Sequence, residues 1–318
     1  MEINKLNARI LSKFGESGAV FGIGVFEALE KYHNLAIFSA DMSTVAGLDK
    51  FKNTHPSHFF NVGIAEQNLI GMSAGMASEE RKVVAVAQAC FITMRSFEQL
   101  RQYAGYMKYP LIAVGINAGF SLTFLGNTHY SIEDMGITRC IPGITILSPS
   151  DAGQALKAFH AALELNVPVY MRFTGGLNCP VIYGEEFEYK IGKGIRLKEG
   201  SDVQLIATGS MVSRSLKAAE MLGEEGISVD VVDMHTIKPL DADILKQDVK
   251  LMVSIEEHSV IGGLGTAIAE VLSCNRFHAP LLRLGIKDCF SLVGEYEYLL
   301  EQHGLTPQHI ADSIKNNL

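Results

Sequence analysis

Short apolar runs alternate with stretches of helical periodicity along most of this chain of 318 residues. The runs at 36–39, 83–86, 111–116, 145–147 and 167–171 are rich in β-branched residues and nearly continuous in apolarity. Strands covered on both faces of a parallel sheet have that pattern. Between them, the spacing of apolar positions predicts helices over 19–31, 66–79, 93–107 and 151–165. Ser150 and Asp151 give the last of these a polar, acidic start. One more apolar strand, Phe59-Phe60-Asn61-Val62, leads into the helix at 66. Alternation of this kind predicts α/β architecture with right-handed crossovers.

From 174 to 193 the periodicity lapses, and Gly175, Gly176, Pro180, Gly184 and Gly192 punctuate the chain. A domain boundary is expected there, dividing the chain into 1–178 and 190–318. The second unit has candidate strands at 203–207, 229–232, 251–255 and 281–284, and helices near 211–224, 262–274 and 305–317. His235 and Lys238-Pro239 read as a strand-to-helix turn. No internal repeat or low-complexity tract interrupts the pattern.

Composition narrows the class. Hydrophobic residues make up 47% and charged residues 19%, enough apolar surface for two cores. A formal net charge of -8 argues against nucleic-acid and anionic-membrane partners. The five cysteines, Cys90, Cys140, Cys179, Cys274 and Cys289, show no CxxC spacing, so neither a zinc site nor a disulfide framework is expected. Reduced thiols, no signal-peptide pattern at Met1–Lys5 and no membrane-length apolar run point to a cytoplasmic protein.

The candidate chemistry centres on Gly63-Ile64-Ala65-Glu66-Gln67-Asn68. Here a carboxylate sits on a rigid strand-to-helix junction, near the positive end of a helix dipole. A glutamate that merely complements the dipole is the plainer reading of Glu66 alone. The run that follows, Ser73-Ala74-Gly75-Met76-Ala77, shifts the balance towards function. Further blocks stand out: Ser39-Ala40-Asp41-Met42-Ser43-Thr44, Phe91-Ile92-Thr93-Met94-Arg95-Ser96-Phe97-Glu98-Gln99, Thr128-His129, and Glu256-Glu257-His258-Ser259 with Gly262-Gly263-Leu264-Gly265. The last lacks the GxGxxG pattern of a nucleotide loop, and its glycines suit a turn and a close helix approach.

Taken together, these blocks resemble the C-terminal half of a transketolase, as found where that enzyme is split into two subunits. The resemblance covers nearly all of the chain, and the GIAEQ run is its most specific part. That run is shared with 1-deoxyxylulose-phosphate synthases and with the beta subunits of 2-oxoacid dehydrogenases, so the family is firmer than the substrate. The resemblance implies a parallel-sheet pyrimidine-binding domain followed by a smaller C-terminal α/β domain with a mixed sheet. The cofactor implied is thiamine diphosphate, with Mg2+ or Ca2+ held mainly by a partner. In the family the carboxyl matching Glu66 hydrogen-bonds the cofactor's pyrimidine and favours the tautomer that activates it.

By the same resemblance Phe91 stacks on the pyrimidine, and Ile64 and Asp41 lie against the cofactor. His129 faces the substrate, where an imidazole can bind oxygen and move a proton near neutral pH. Arg172 matches an arginine that grips a substrate anion, although a salt bridge between domains fits it as well. Ser43 lies where the substrate approaches. Two positions depart from the pattern. Leu125 replaces an aspartate that reads a donor hydroxyl, and Asn117 replaces a histidine. Loss of hydroxyl-reading groups suggests a donor or acceptor unlike the usual pentose phosphates, such as a modified sugar. Gln88 and Met94 replace family aromatics around the pyrimidine.

The family holds the diphosphate through a GDG motif, which this chain lacks. The resemblance therefore implies an N-terminal partner subunit and an α2β2 assembly with a homodimer contact. The expected activity is transfer of a two-carbon ketol unit from a ketose to an aldose. A 2-oxoacid dehydrogenase beta subunit, a 1-deoxyxylulose-phosphate-synthase-like enzyme, and a non-catalytic scaffold of the same fold remain as alternatives.

Overall fold

The computed structural model describes residues 1–274 and 278–318. Among the described residues, twelve strands form two sheets. The first half of the chain contributes β1 (Ala36–Ser39), β2 (Phe59–Asn61), β3 (Val83–Gln88), β4 (Leu111–Ile116), β5 (Thr145–Leu147) and β6 (Val169–Arg172). The second half contributes β7 (Ile195–Lys198), β8 (Val203–Ala207), β9 (Val229–Asp233), β10 (Thr236–Lys238), β11 (Leu251–Ser259) and β12 (Leu281–Ile286).

The larger sheet has the order β10-β5-β6-β4-β3-β1-β2. Its six strands from the first half are mutually parallel. Their continuous apolarity follows from burial on both faces. Phe38, Ala85 and Ala113 pack with Leu69, Ile70 and Ala74 of the helix Glu66–Ser78. Their neighbours Ile37, Val84 and Val114 point the other way, onto Val20, Phe21 and Phe159. The smaller sheet, β12-β11-β8-β9-β7, is mixed, because β7 runs antiparallel to β9. Its core joins Leu205, Val231 and Val253 to Leu299 and Ile310 of the C-terminal helices.

The structure departs from the expected elements where segments are short or polar. Thr236–Lys238 is no turn into a helix. It is a strand that adds to the edge of the first sheet, antiparallel to β5, with Thr236 opposite Leu147. Lys238 anchors it, its Nζ donating to the carbonyls of Arg139 (2.8 Å) and Ile141 (2.6 Å). The helix expected over 93–107 divides into Ala89–Met94, Phe97–Gln99 and π-helical turns over Leu100–Tyr106. An N-terminal helix, Lys5–Ala19, is capped by Asn4, whose side chain accepts from the amides of Leu6 and Asn7. Its apolar stripe is hard to recognise because Leu6, Ile10 and Phe14 stay exposed. Among the described residues, no helix is long and apolar enough to cross a membrane.

Candidate active site

In the larger sheet the chain runs outward from β1 to β2 and then returns past β1 to β3. Such a reversal opens a crevice beyond the carboxyl ends of the strands, where ligands of open α/β sheets bind. The sequence candidates lie there. Asp41 and Ser43 follow β1, Ile64 and Glu66 follow β2, and Phe91 follows β3. Asn117, Leu125 and His129 follow β4.

Glu66 opens its helix with a side chain only 7% exposed. Its two carboxylate oxygens accept from Nη1 of Arg95 at 3.3 and 3.4 Å. The Arg95 guanidinium carbon also lies over the Phe91 ring, 3.6 Å from the centroid. Phe91 in turn meets the imidazole of His129 edge-on, with centroids 5.1 Å apart. Four side chains from three loops therefore form one continuous cluster. Arg95 stands out only in the folded chain. Its spacing of four residues from Phe91 on a helical stretch is the signal that pairs them.

The His129 imidazole has a defined orientation. The Thr128 hydroxyl has a single proton and lies 3.1 Å from the Leu125 carbonyl, which can only accept. It therefore accepts from Nδ1–H of His129 at 2.9 Å, so that in a neutral ring Nε2 carries the lone pair. The backbone of the loop is held by Gln88. Its amide nitrogen donates to the carbonyls of Asn117 (3.2 Å) and His129 (3.4 Å), and its amide oxygen accepts from Asn117 Nδ2 (3.1 Å). The Asn117 side chain is thus tied to Gln88. Cys90 also donates to the His129 carbonyl, and burial pushes its thiol up to about 12, so it remains a thiol near neutral pH.

Asp41 sits in a left-handed conformation, φ 57°. Its amide donates to Asn61 Oδ1 (3.0 Å), and its carboxylate accepts from Asn61 Nδ2 (3.1 Å). The Gly63 amide donates to the same Asn61 oxygen, so the ends of β1 and β2 are locked together. Ser43 is buried, whereas Ile64 projects from the rim at 77% exposure. Leu125 is exposed, as is its neighbour Phe124.

Arg172 takes the second of the two readings its sequence left open, a buried salt bridge, and not the grip on a substrate anion. It is buried, and Nε donates to Asp134 at 2.8 Å while Nη2 donates to the carbonyls of Ser131 and Glu257. Tyr170 donates to the same Asp134 oxygen at 2.6 Å. Burial pushes the Asp134 carboxyl up, but the charge of Arg172 and the hydrogen bonds from Arg172 and Tyr170 hold it below the usual range. Arg172 therefore ties β6 to β11 of the second sheet instead of facing the crevice. The physical reason is that its partner is a wholly buried carboxylate, which needs a buried cation. Glu257 completes the junction, accepting from the Phe120 amide, from Tyr296 and from Ser210.

The donor set suits a planar, nitrogen-rich ring. A buried carboxylate and a partly open aromatic face already engage one planar cation between them. Among the described residues, no group of three or more His, Cys, Asp or Glu is arranged to hold a metal ion.

Comparison with known proteins gives the family of the two domains. Residues 18–179 match the transketolase pyrimidine binding domain, and residues 192–310 match the transketolase C-terminal domain. The chain is 36% identical to the 6-deoxy-6-sulfo-D-fructose transketolase subunit of a Clostridium species (strain MSTE9), covering 90% of this chain and 89% of that one. It is 34% identical to the 1-deoxy-D-xylulose-5-phosphate synthase of Caldanaerobacter subterraneus, covering 93% of this chain but 48% of the synthase. A split-gene transketolase solved as an inactive β4 tetramer superposes with a TM-score of 0.85 at 34% identity, covering 96% of this chain and 98% of that chain. The chain belongs to the transketolase family, in its split-subunit form, and carries the pyrimidine-binding and C-terminal domains.

Proposed function

We propose that this chain forms half of an active site for thiamine-diphosphate-dependent ketol transfer. An N-terminal partner subunit supplies the surface for the diphosphate and its Mg2+ or Ca2+ in an α2β2 assembly. The observation that carries the reading is the convergence of buried Glu66 and the Phe91 face on one guanidinium. When bound, thiamine diphosphate supplies the carbanion chemistry of two-carbon transfer.

The chain's own residues have separate tasks. Glu66 presents a carboxylate to the edge of the pyrimidine, and Phe91 presents the ring face on which it stacks. Asp41 and Ile64 border the cofactor. His129, with Nε2 free to accept, takes and returns a proton on substrate oxygen. Ser43, Asn117 and Leu125 line the approach of the sugar. Arg172 is left out of the substrate set because its guanidinium is bound at the domain junction. The five free cysteines suit a reducing compartment such as the cytoplasm.

Leu125 favours a ketose whose recognition does not rest on a carboxylate reading one hydroxyl. A relative named for a sulfonated ketose supports a modified-sugar donor here. The test is a donor–acceptor screen on the chain co-expressed with a GDG-bearing partner, alongside the chain alone. Transfer by the pair, with a modified ketose among the best donors, is the expected result. Xylulose 5-phosphate as best donor by a wide margin would refute the sugar assignment. Ketol transfer by the chain alone would refute the partner requirement.

A further inference from the structure

We propose that Arg95 is a placeholder for the pyrimidine ring. Its guanidinium occupies the seat defined by Glu66 and Phe91, and it must swing out for the cofactor to enter. This rests on the reading of Glu66 and Phe91 given above.

The guanidinium meets the two demands of that seat. It is planar and delocalised, so its face stacks on Phe91, and its edge offers N–H groups to a carboxylate. Arg95 uses both at once, lying 3.6 Å over the ring and reaching Glu66 at 3.3 and 3.4 Å. An aminopyrimidine bound through the same carboxylate and the same aromatic face would need the same volume.

A placeholder has a clear physical use. The Glu66 carboxylate is largely withdrawn from water, and a buried charge without a partner is costly. Arg95 neutralises it until the ring arrives. The contact is also built to be released. Both Glu66 distances are long for charge-assisted hydrogen bonds, and the Arg95 side chain is 50% exposed, so an open path leads to water. Among the described residues, Glu66 is the sole side chain that Arg95 bonds. Its backbone stays anchored, the amide to the Phe91 carbonyl and the carbonyl to Gln67 Nε2, so the side chain can move without unravelling the helix.

The test titrates thiamine diphosphate into the chain–partner complex by calorimetry, with melting followed before and after saturation. Arg95→Met removes the charge and the N–H groups. With the competitor gone, its Kd is expected to tighten about tenfold, the equivalent of ~1.4 kcal/mol for a half-exposed ion pair with a cation–π contact. The cofactor-free complex is expected to melt lower than the parent, and the saturated complex to melt close to it. Arg95→Lys, which keeps charge but not the plane, is expected to fall between. Unchanged or weaker cofactor binding in Arg95→Met would overturn the placeholder. Glu66→Gln in the same titration separates the two ideas. If that variant binds the cofactor and turns over normally, the reading of the site fails. If it is impaired while Arg95→Met does not tighten, the placeholder alone fails.

Discussion

Glu66 shows how one side chain acquires a role from its setting. It is the first residue of a helix, after a strand end pinned by Asn61, and its side chain is 7% exposed. The resulting carboxylate is rigid and largely dry, which suits a group that must hold one hydrogen bond at a fixed angle. Replacing it with glutamine keeps the shape and removes the charge. In the assembled enzyme, Glu66→Gln is expected to lower kcat by roughly 10²–10⁴-fold, the range for a lost acid–base partner. Circular dichroism should show the fold intact. Turnover near that of the parent would remove the basis of the functional reading. This residue, Phe91 and His129 stood out in the sequence because each lies in a recognisable block. Arg95 lay in one of those blocks as well, but its pairing with Glu66 crosses 29 positions and exists only after folding.

At the scale of elements, loops after strands do the positioning. The segment after β4 leaves the sheet at Asn117, makes a bridge between Gly119 and Ser131, and returns past His129. Gly119 has φ 64°, and a Cβ there would strike the Glu257 carboxylate. Gly119→Ala is therefore expected to destabilise the chain by about 1–3 kcal/mol, from backbone strain and displacement of a junction carboxylate. Urea unfolding measures it, and a change within ~0.5 kcal/mol would show that the loop yields without cost.

The long, apolar strands β3, β4, β8 and β11 were legible because burial on two faces demands continuous apolarity. The edge strands β7 and β10 were not. Charged side chains at Arg196, Lys198 and Lys238 break their apolarity, and their pairing partners lie far away in sequence.

For the molecule as a whole, the junction between the sheets gathers buried ionisable groups. Burial pushes Glu16 up to about 8, Glu256 to about 7 and Asp233 to about 6. Burial also pushes His235 and His258 down to about 4. The signs oppose each other. A carboxyl with a raised pKa keeps its proton in the native state after the unfolded chain has released it, so stability falls as pH rises from the unfolded value to the folded one. A histidine with a lowered pKa does the reverse, and its contribution is lost as pH falls from 6.5 towards 4. Above pH 6.5 only the carboxyls remain to act. The stability of the isolated chain is therefore expected to decline between pH 6.5 and about 8, with Glu16 the largest contributor to the upper end. Urea titrations across that range test it, and Glu16→Gln should make the decline shallower. A flat profile in both proteins would show that these carboxyls are already ionised in the native state at pH 6.5.

By itself the sequence determined the alternation of strands and helices, the two-unit plan, and the blocks that tie the chain to its family. Those features depend on local periodicity and on short runs of residues that act together. Only the tertiary structure decided which long-range partners meet. It committed Arg172 to Asp134, added Thr236–Lys238 to the first sheet, and laid Arg95 across Phe91 onto Glu66. Those outcomes depend on burial, because charges and backbone groups removed from water must find partners wherever the fold places them.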